Sequence, residues 1–311
     1  MKFAAIDIGS NAVRLLFSNV LEEKETVVFK AETLIRVPLR LGHDAFSTQL
    51  ISPEKAEDLL KTMIAFRNLI DVHKALDYMA CATSAMREAK NGEELIQKIK
   101  QKAEIDIQII HGQKEAEIIY ANQIAEQLNP EECYLYVDVG GGSTELTLFA
   151  NQDRVASQSF NIGSVRLLEN QPVEAEFDRL KFWIHDNVTR PIYLPLSGIG
   201  SGGNINSLFK LSKKKEGKPL TYKGIRTLYQ NLQSYSLEER IKILGLKPDR
   251  ADVIIPATEI YLSVMRLAHI DKIFVPQIGL VDGIIHLLYE KHTQKKVPKT
   301  ARSTRSNLNR F

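Results

Sequence analysis

Asp7-Ile8-Gly9-Ser10-Asn11 and Asp138-Val139-Gly140-Gly141-Gly142-Ser143 decide how this chain folds. Each follows a short apolar stretch, Lys2 to Ile8 and Cys133 to Val139, and ends it with an aspartate and a glycine turn. The surroundings repeat as well. Arg14 to Val20 and Thr26 to Ala31 read as strands after the first turn, and Glu145 to Ala150 and Val155 to Phe160 after the second. The two segments lie about 130 residues apart, too long a period for a solenoid. The repetition therefore predicts two similar α/β domains with a phosphate-binding cleft between them.

Outward from these segments, helices and strands alternate. Pro53 to Val72 has helical spacing (Leu59, Leu60, Met63, Phe66, Ile70), with Ser52 as N-cap and Pro53 in the first turn. Ala75 to Ala82 reads as a strand, Ser84 to Ala89 as a loop entering a helix, and Gly92 to Ala103 as that helix. Ile105 to Ile110 is a further strand and Lys114 to Gln127 a helix. In the second copy, Phe177 to Val188 reads as a helix, Tyr193 to Ile199 as a strand and Asn204 to Leu211 as a helix. Lys272 to Pro276 is a closing strand, Val281 to His292 a last helix, and the basic tail beyond it is expected to be untethered. The first domain is expected to span 1–125 and to regain about 281–311, the second 126–280.

Composition bounds the function. A chain of 311 residues with 44% hydrophobic and 25% charged residues is ordinary for two soluble domains. Its net charge of +3 gives no argument for specific nucleic-acid or membrane binding. After Glu290 no acidic residue occurs, while Lys291, Lys295, Lys296, Lys299, Arg302, Arg305 and Arg310 do. Cys81 and Cys133 sit in apolar surroundings and read as buried thiols of a reducing compartment, without the close spacing of a zinc site. Phe3 to Asp7 turns acidic too soon for a signal peptide, and no apolar run reaches about 18 residues. A cytoplasmic location is expected.

A carboxylate at a strand end beside glycines sets an acid next to exposed backbone N–H groups, which accept close approach of an anion. Two such turns argue for function where one would be punctuation. The cluster Gly198-Ile199-Gly200-Ser201-Gly202-Gly203 follows a strand and leads into a helix, so it is either a packing turn or a further anion site. No Gly-Lys-Ser/Thr occurs, and no G-x-G-x-x-G follows the first strand, which disfavours P-loop and Rossmann enzymes.

Four segments in this order and spacing, the two turns together with Ala82-Thr83-Ser84-Ala85-Met86-Arg87-Glu88-Ala89 and Gly112-Gln113-Lys114-Glu115-Ala116, resemble the exopolyphosphatase/guanosine pentaphosphate phosphohydrolase (Ppx/GppA) family. The resemblance spans nearly the whole chain. It implies the duplicated actin-like fold (acetate/sugar kinase–Hsp70–actin, ribonuclease H-like). It also implies hydrolysis of terminal phosphate from inorganic polyphosphate or guanosine pentaphosphate with Mg²⁺, or Mn²⁺ in its place. Glu115 would be the catalytic glutamate, and Asp138, Asp7 and Glu145 the metal-side acids. Gly9, Ser10, Asn11, Thr83, Arg87, Gly140, Gly141, Gly142 and Ser143 would contact phosphate, with Gly202 and Gly203 added from the third cluster. Arg14 is open to a phosphate or a structural role, and Arg166 matches a family segment of less certain role. Such an enzyme is compatible with a homodimer.

Three departures stand out: Lys114 replaces the acid usual before the glutamate, Ala257 a glycine expected before a helix, and Val281-Asp282 an Arg-Glu pair. The chain also carries only the two-domain core, so the Lys213–Lys218 run and the basic tail are candidate rims for a polyanion. Two other functions compete: an ATP-dependent kinase or ATPase of the same superfold, and a non-catalytic sensor of guanosine tetra- or pentaphosphate. Glu115 and the Ala82–Arg87 segment favour the hydrolase.

Overall fold

The computed structural model describes residues 1–23, 26–120, 129, 131–151, 153–294 and 302–304. The chain divides into two compact units, Met1–Gln123 with Gly279–Phe311, and Ile124–Ile278.

The first unit begins with β1 (Lys2–Ile8), β2 (Val13–Glu23) and β3 (Thr26–Val37), an antiparallel meander. Next come α1 (Leu41–Ser47), α2 (Pro53–His73), β4 (Asp77–Ala82), α3 (Ser84–Glu88), α4 (Gly92–Ala103), β5 (Ile107–Ile109) and α5 (Gly112–Tyr120). In chain order, the second unit contributes β6 (Cys133–Val139), β7 (Thr144–Ala150), β8 (Asp153–Phe160), α6 (Ser164–Leu168), α7 (Glu174–Asn187), β9 (Leu196–Ser201) and α8 (Gly203–Leu211). It continues with β10 (Leu220–Thr221), α9 (Tyr222–Ser234), α10 (Leu237–Lys242), α11 (Pro248–Ala251), α12 (Ile254–Leu267) and β11 (Lys272–Phe274). The chain then returns to the first unit with α13 (Leu280–Thr293) and β12 (Arg302–Thr304).

Both sheets have one plan. The first runs β12-β3-β2-β1-β4-β5 and the second β10-β11-β9-β6-β7-β8. In each, three antiparallel strands are followed by strands that cross over to lie parallel to the first. This is the duplicated actin-like, ribonuclease H-like α/β fold. Its consequence is positional. Parallel strands end on one edge, so β1, β4 and β5 deliver Gly9, Thr83 and Gly112 to the same edge of the first sheet. By the same rule β6 and β9 deliver Gly140 and Gly202 to one edge of the second. Carboxyl edges of parallel strands are where α/β proteins bind ligands.

Burial follows from alternation and amphipathic faces. Leu135, Val137, Leu146, Leu148 and Phe160 form one wall of the second core, against Leu180, Ile184, Leu208, Ile260 and Val264. In the first unit α13 lies on β1 and α5, where an ideal Cβ on Gly283 would fall 1.9 Å from the Ile118 carbonyl oxygen. A glycine is thus required for α13 to approach α5, the helix that carries Glu115.

Several expectations are corrected here. Ser84–Glu88 is a helix of its own, not a loop. Ser52 occupies the N-cap of α2, yet its side chain makes no cap bond; its amide donates instead to Asp44 Oδ2 at 2.9 Å. Ala257 lies inside α12, fully buried, and not before it. Gly198 and Gly200 belong to strand β9, because Cβ atoms there would press on Ile273 and Ile205 side chains at 2.9–3.0 Å. Within the tail, Arg302–Thr304 pairs in parallel with Val28–Lys30 of β3, so that part is tethered. The remainder of the tail before and after it, and the expected helical stretch 121–127, lie outside the described residues. Cys81 is fully buried, Cys133 half-buried, and both are free thiols. No helix among the described residues is long and apolar enough to cross a membrane.

Candidate active site

In the first unit the turn after β1 is fixed from three sides. Gly9 N donates to Ala12 O at 3.2 Å, Gly42 N to Ser10 O at 2.7 Å, and Arg40 N to Asn11 O at 3.1 Å. Ser10 is buried and its Oγ lies 2.9 Å from Ser84 Oγ, at the start of α3. Thr83, also buried, caps the end of β4 and its amide donates to Ile8 O at 3.2 Å. Arg87 Nη1 donates to Ile110 O at 2.8 Å, so part of its guanidinium ties α3 to the end of β5. Two residues after Ile110, α5 begins, and Glu115 occupies its first turn, where an acid complements the helix dipole.

Asp7 and Glu115 both act on one neighbour. The Cys81 thiol, register partner of Asp7 on β4, is pushed up to about 12 by burial first and then by these two carboxylates. Asp7 itself is raised by burial, against the opposing pull of Arg14, whose Nη1 donates to its Oδ2 at 2.5 Å. Asp7 and Arg14 are register partners on β1 and β2, so the pair is built into the sheet.

In the second unit the glycine turn is gripped by the start of α6. Ser164 N donates to Gly140 O at 3.0 Å, Val165 N to Gly141 O at 2.8 Å, and Arg166 Nε to Gly142 O at 2.8 Å. The first amides of α6 are therefore spent on the turn's carbonyls. Within the turn, Gly140 N donates to Ser143 O at 2.9 Å. Asp138 is half-buried, with Glu145 as its register partner on β7 and Ser201 on β9. Glu145 is buried and accepts from Ser159 Oγ at 2.9 Å. Gly202, at φ +89°, begins the second turn, and a Cβ there would stand 2.7 Å from Asp138 Oδ1. Gly203 opens α8, and a Cβ on it would strike the Arg250 guanidinium at 2.2 Å.

A family model described as the Ppx/GppA phosphatase family matches residues 20–292. The chain belongs to this family. It is 30% identical over 307 residues to the bifunctional 3-dehydroquinate synthase/phosphatase of Fusobacterium nucleatum, covering 91% of this chain and 46% of that enzyme's length. The chain thus spans about half of that relative. It is 26% identical to exopolyphosphatase 2 of Mycobacterium tuberculosis, over 91% of this chain and 97% of that protein. Among solved structures, an exopolyphosphatase from Cytophaga hutchinsonii superposes with a TM-score of 0.78 at 25% identity, covering 96% and 99% of the two chains. The Ppx/GppA family member of Aquifex aeolicus superposes at 0.73 with 27% identity, covering 95% and 99%.

For a Ppx/GppA phosphatase the acids of the two units are unequal. Asp138 and Glu145 are two carboxylates side by side, an arrangement whose mutual repulsion a divalent cation relieves. Mg²⁺ takes one or two carboxylates and fills the rest of its shell with water and phosphate. The pair fits that ion. Asp7 fits it less well, since Arg14 already matches its charge. Departures from the family pattern keep local roles: Asp282 Oδ2 accepts the Gly279 N–H at 2.7 Å and starts α13, and Lys114 pairs with Glu117 at 3.3 Å on the surface.

The segment Gly163-Ser164-Val165-Arg166, of uncertain role in the sequence, supports the second turn. The roles of Asn204, Arg250 and Tyr261 behind it carry no local signal, because long-range packing alone brings them there.

Proposed function

We propose that the chain removes the terminal phosphate of inorganic polyphosphate by attack of water, with guanosine pentaphosphate open to the same chemistry. Phosphoanhydride hydrolysis requires a positioned water, a group to orient or deprotonate it, and fixed donors for the phosphoryl oxygens. The observation that most supports this reading is the company Glu115 keeps. It lies beyond the carboxyl edge of the first sheet, where it and Asp7 both bear on the Cys81 thiol, on the helix that follows the Arg87-bound Ile110. In this reading Glu115 takes the water's proton, and in the first unit Arg87, Thr83, Ser10, Asn11 and the amides of the Gly9 turn are candidate phosphate contacts. In the second unit the candidates are Ser143, Gly202, Gly203 and the amides of the Gly140 turn. Asp138 and Glu145 would hold Mg²⁺, which when bound neutralises phosphate charge and stabilises the leaving oxygen.

Phosphate release from short and long polyphosphate and from guanosine pentaphosphate tests the reading. Removal of metal by a chelator should abolish release, and Mg²⁺ or Mn²⁺ should restore it. Glu115→Gln should lower turnover by about 10²- to 10⁴-fold while retaining polyphosphate binding. Near-normal turnover of that variant removes Glu115 from the mechanism, and ADP formation from ATP with no polyphosphate hydrolysis would move the chain to the kinase class.

A further inference from the structure

We infer that Tyr261 is a positioning residue whose single buried hydroxyl couples the two turns of the second unit. The inference rests on the proposed role of Asp138 and these turns in holding metal and phosphate. Tyr261 is fully buried on α12 among Ala257, Ile260 and Val264. An aliphatic or phenyl side chain would fill such a core, and a hydroxyl there must find partners to offset its lost hydration. It finds two. The hydroxyl donates to Ser201 O at 2.7 Å and accepts the Val139 N–H at 3.4 Å. Val139 precedes Gly140, and Ser201 precedes Gly202, so the one oxygen joins the residues that lead into both turns.

The place matters because β6 and β9 stop pairing here, with Asp138 and Ser201 as the last register partners. Beyond that point no ladder bond holds the strand ends together, and Gly202 passes so close to Asp138 Oδ1 that the spacing of the strands sets where the carboxylate stands. Burial first, and the Asp138 charge second, hold the phenol far above its usual titration range, so it stays a donor. The neighbouring Tyr136 is a built-in control. It too is buried and sits on β6, but its hydroxyl donates to the Ser201 side-chain Oγ, whereas Tyr261 holds main-chain atoms, the Val139 N–H and the Ser201 carbonyl.

Tyr261→Phe retains the ring and removes only the bridge. Hydrogen exchange at the Val139 amide should accelerate about tenfold in Tyr261→Phe. Turnover on polyphosphate should fall about tenfold with KM changed less than twofold, as a turn displaced by a fraction of an ångström loses transition-state contacts. The Mg²⁺ concentration for half-maximal binding, read by calorimetry without substrate, should rise severalfold. Tyr136→Phe should leave the Val139 amide and the Mg²⁺ affinity unchanged. Equal losses in both variants, or a Tyr261→Phe protein with native Mg²⁺ affinity, would overturn the inference. If the wild-type chain binds Mg²⁺ yet releases no phosphate from polyphosphate, the proposed function fails while exchange and calorimetry still decide the role of Tyr261.

Discussion

Gly163→Ala tests how tightly the second turn is built. Gly163 has an extended backbone (φ −145°, ψ 158°), so alanine meets no torsional objection. The objection is steric. A Cβ at this position would stand 2.3 Å from the Gly141 carbonyl oxygen and 2.4–2.5 Å from the carbonyl carbons of Gly141 and Gly142. Every one of these is backbone, so no side chain can rotate away. The turn must retreat by about 0.7 Å to restore even a 3.0 Å contact, and the bonds from Ser164, Val165 and Arg166 to its carbonyls oppose the retreat. Overpacking of this kind costs about 1–3 kcal/mol, which denaturant unfolding would measure. If the turn holds phosphate as proposed, turnover should fall much further than stability suggests, by about 10²-fold, since misplacement near 1 Å there removes transition-state contacts. Urea titration paired with phosphate release from polyphosphate checks both numbers. A Gly163→Ala protein that keeps wild-type turnover would refute the role of the Gly140 turn, whatever its stability.

Two further outcomes follow from charge. Arg14→Ala removes the guanidinium from Asp7, whose side chain is 5% exposed, and should cost about 3 kcal/mol at pH 7. Asp7 is already raised above 3.8, so its ionised form destabilises the fold above that pH; acidification protonates it, and the deficit of Arg14→Ala should shrink as pH falls from 7 toward 5 in parallel denaturation curves. At the C-terminal helix, Lys291 Nζ and His292 Nε2 meet Asp77 Oδ2 at 2.8 and 2.9 Å. Burial alone would raise Asp77, but the bonds from Lys291, His292 and the Tyr78 amide outweigh it and lower the carboxyl below 3.8. A lowered acid stabilises the fold above its unfolded value and loses that contribution as pH drops through the folded one. Asp77→Asn should therefore cost about 1 kcal/mol at pH 7 and nothing below pH ~3, read from thermal melts across that range.

What the sequence made legible was whatever is local and periodic. The strand–aspartate–glycine segments and the helical spacing after Pro53 each need only neighbouring residues to be read. Between Ser212 and Asp271 the sequence shows the Lys213–Lys218 run and a helix near Ala257, but not the bounds of α9 to α12, because the apolar faces of these helices make sense only against the second core. Gly198 and Gly200 misled because glycine signals a turn, while here its cause is Ile273 lying on the strand. At the candidate site the acids and glycines were visible as types in a pattern. Their supports were not, since Tyr261 reaches Val139 across 122 residues and Arg250 reaches Asn204 across 46.

The duplication itself carries the last step of the argument. One framework places Asp7 and Asp138 at matching strand ends, yet the residue opposite differs: arginine across from Asp7, glutamate across from Asp138. Under the proposed function, this one cross-strand position assigns the cation to the second copy and not to the first. In the first unit an Asp–Arg pair leaves a rigid, charge-balanced turn in which Ser10 and Asn11 are buried and held by main-chain bonds. In the second unit two carboxylates, Asp138 and Glu145, stand opposite each other on paired strands just before the Gly140 turn. Removing the charge at that position while keeping the buried side chain's shape, Glu145→Gln, should accordingly lower Mg²⁺ affinity severalfold in calorimetry, and retained Mg²⁺ affinity in that variant would show that the cation is held elsewhere.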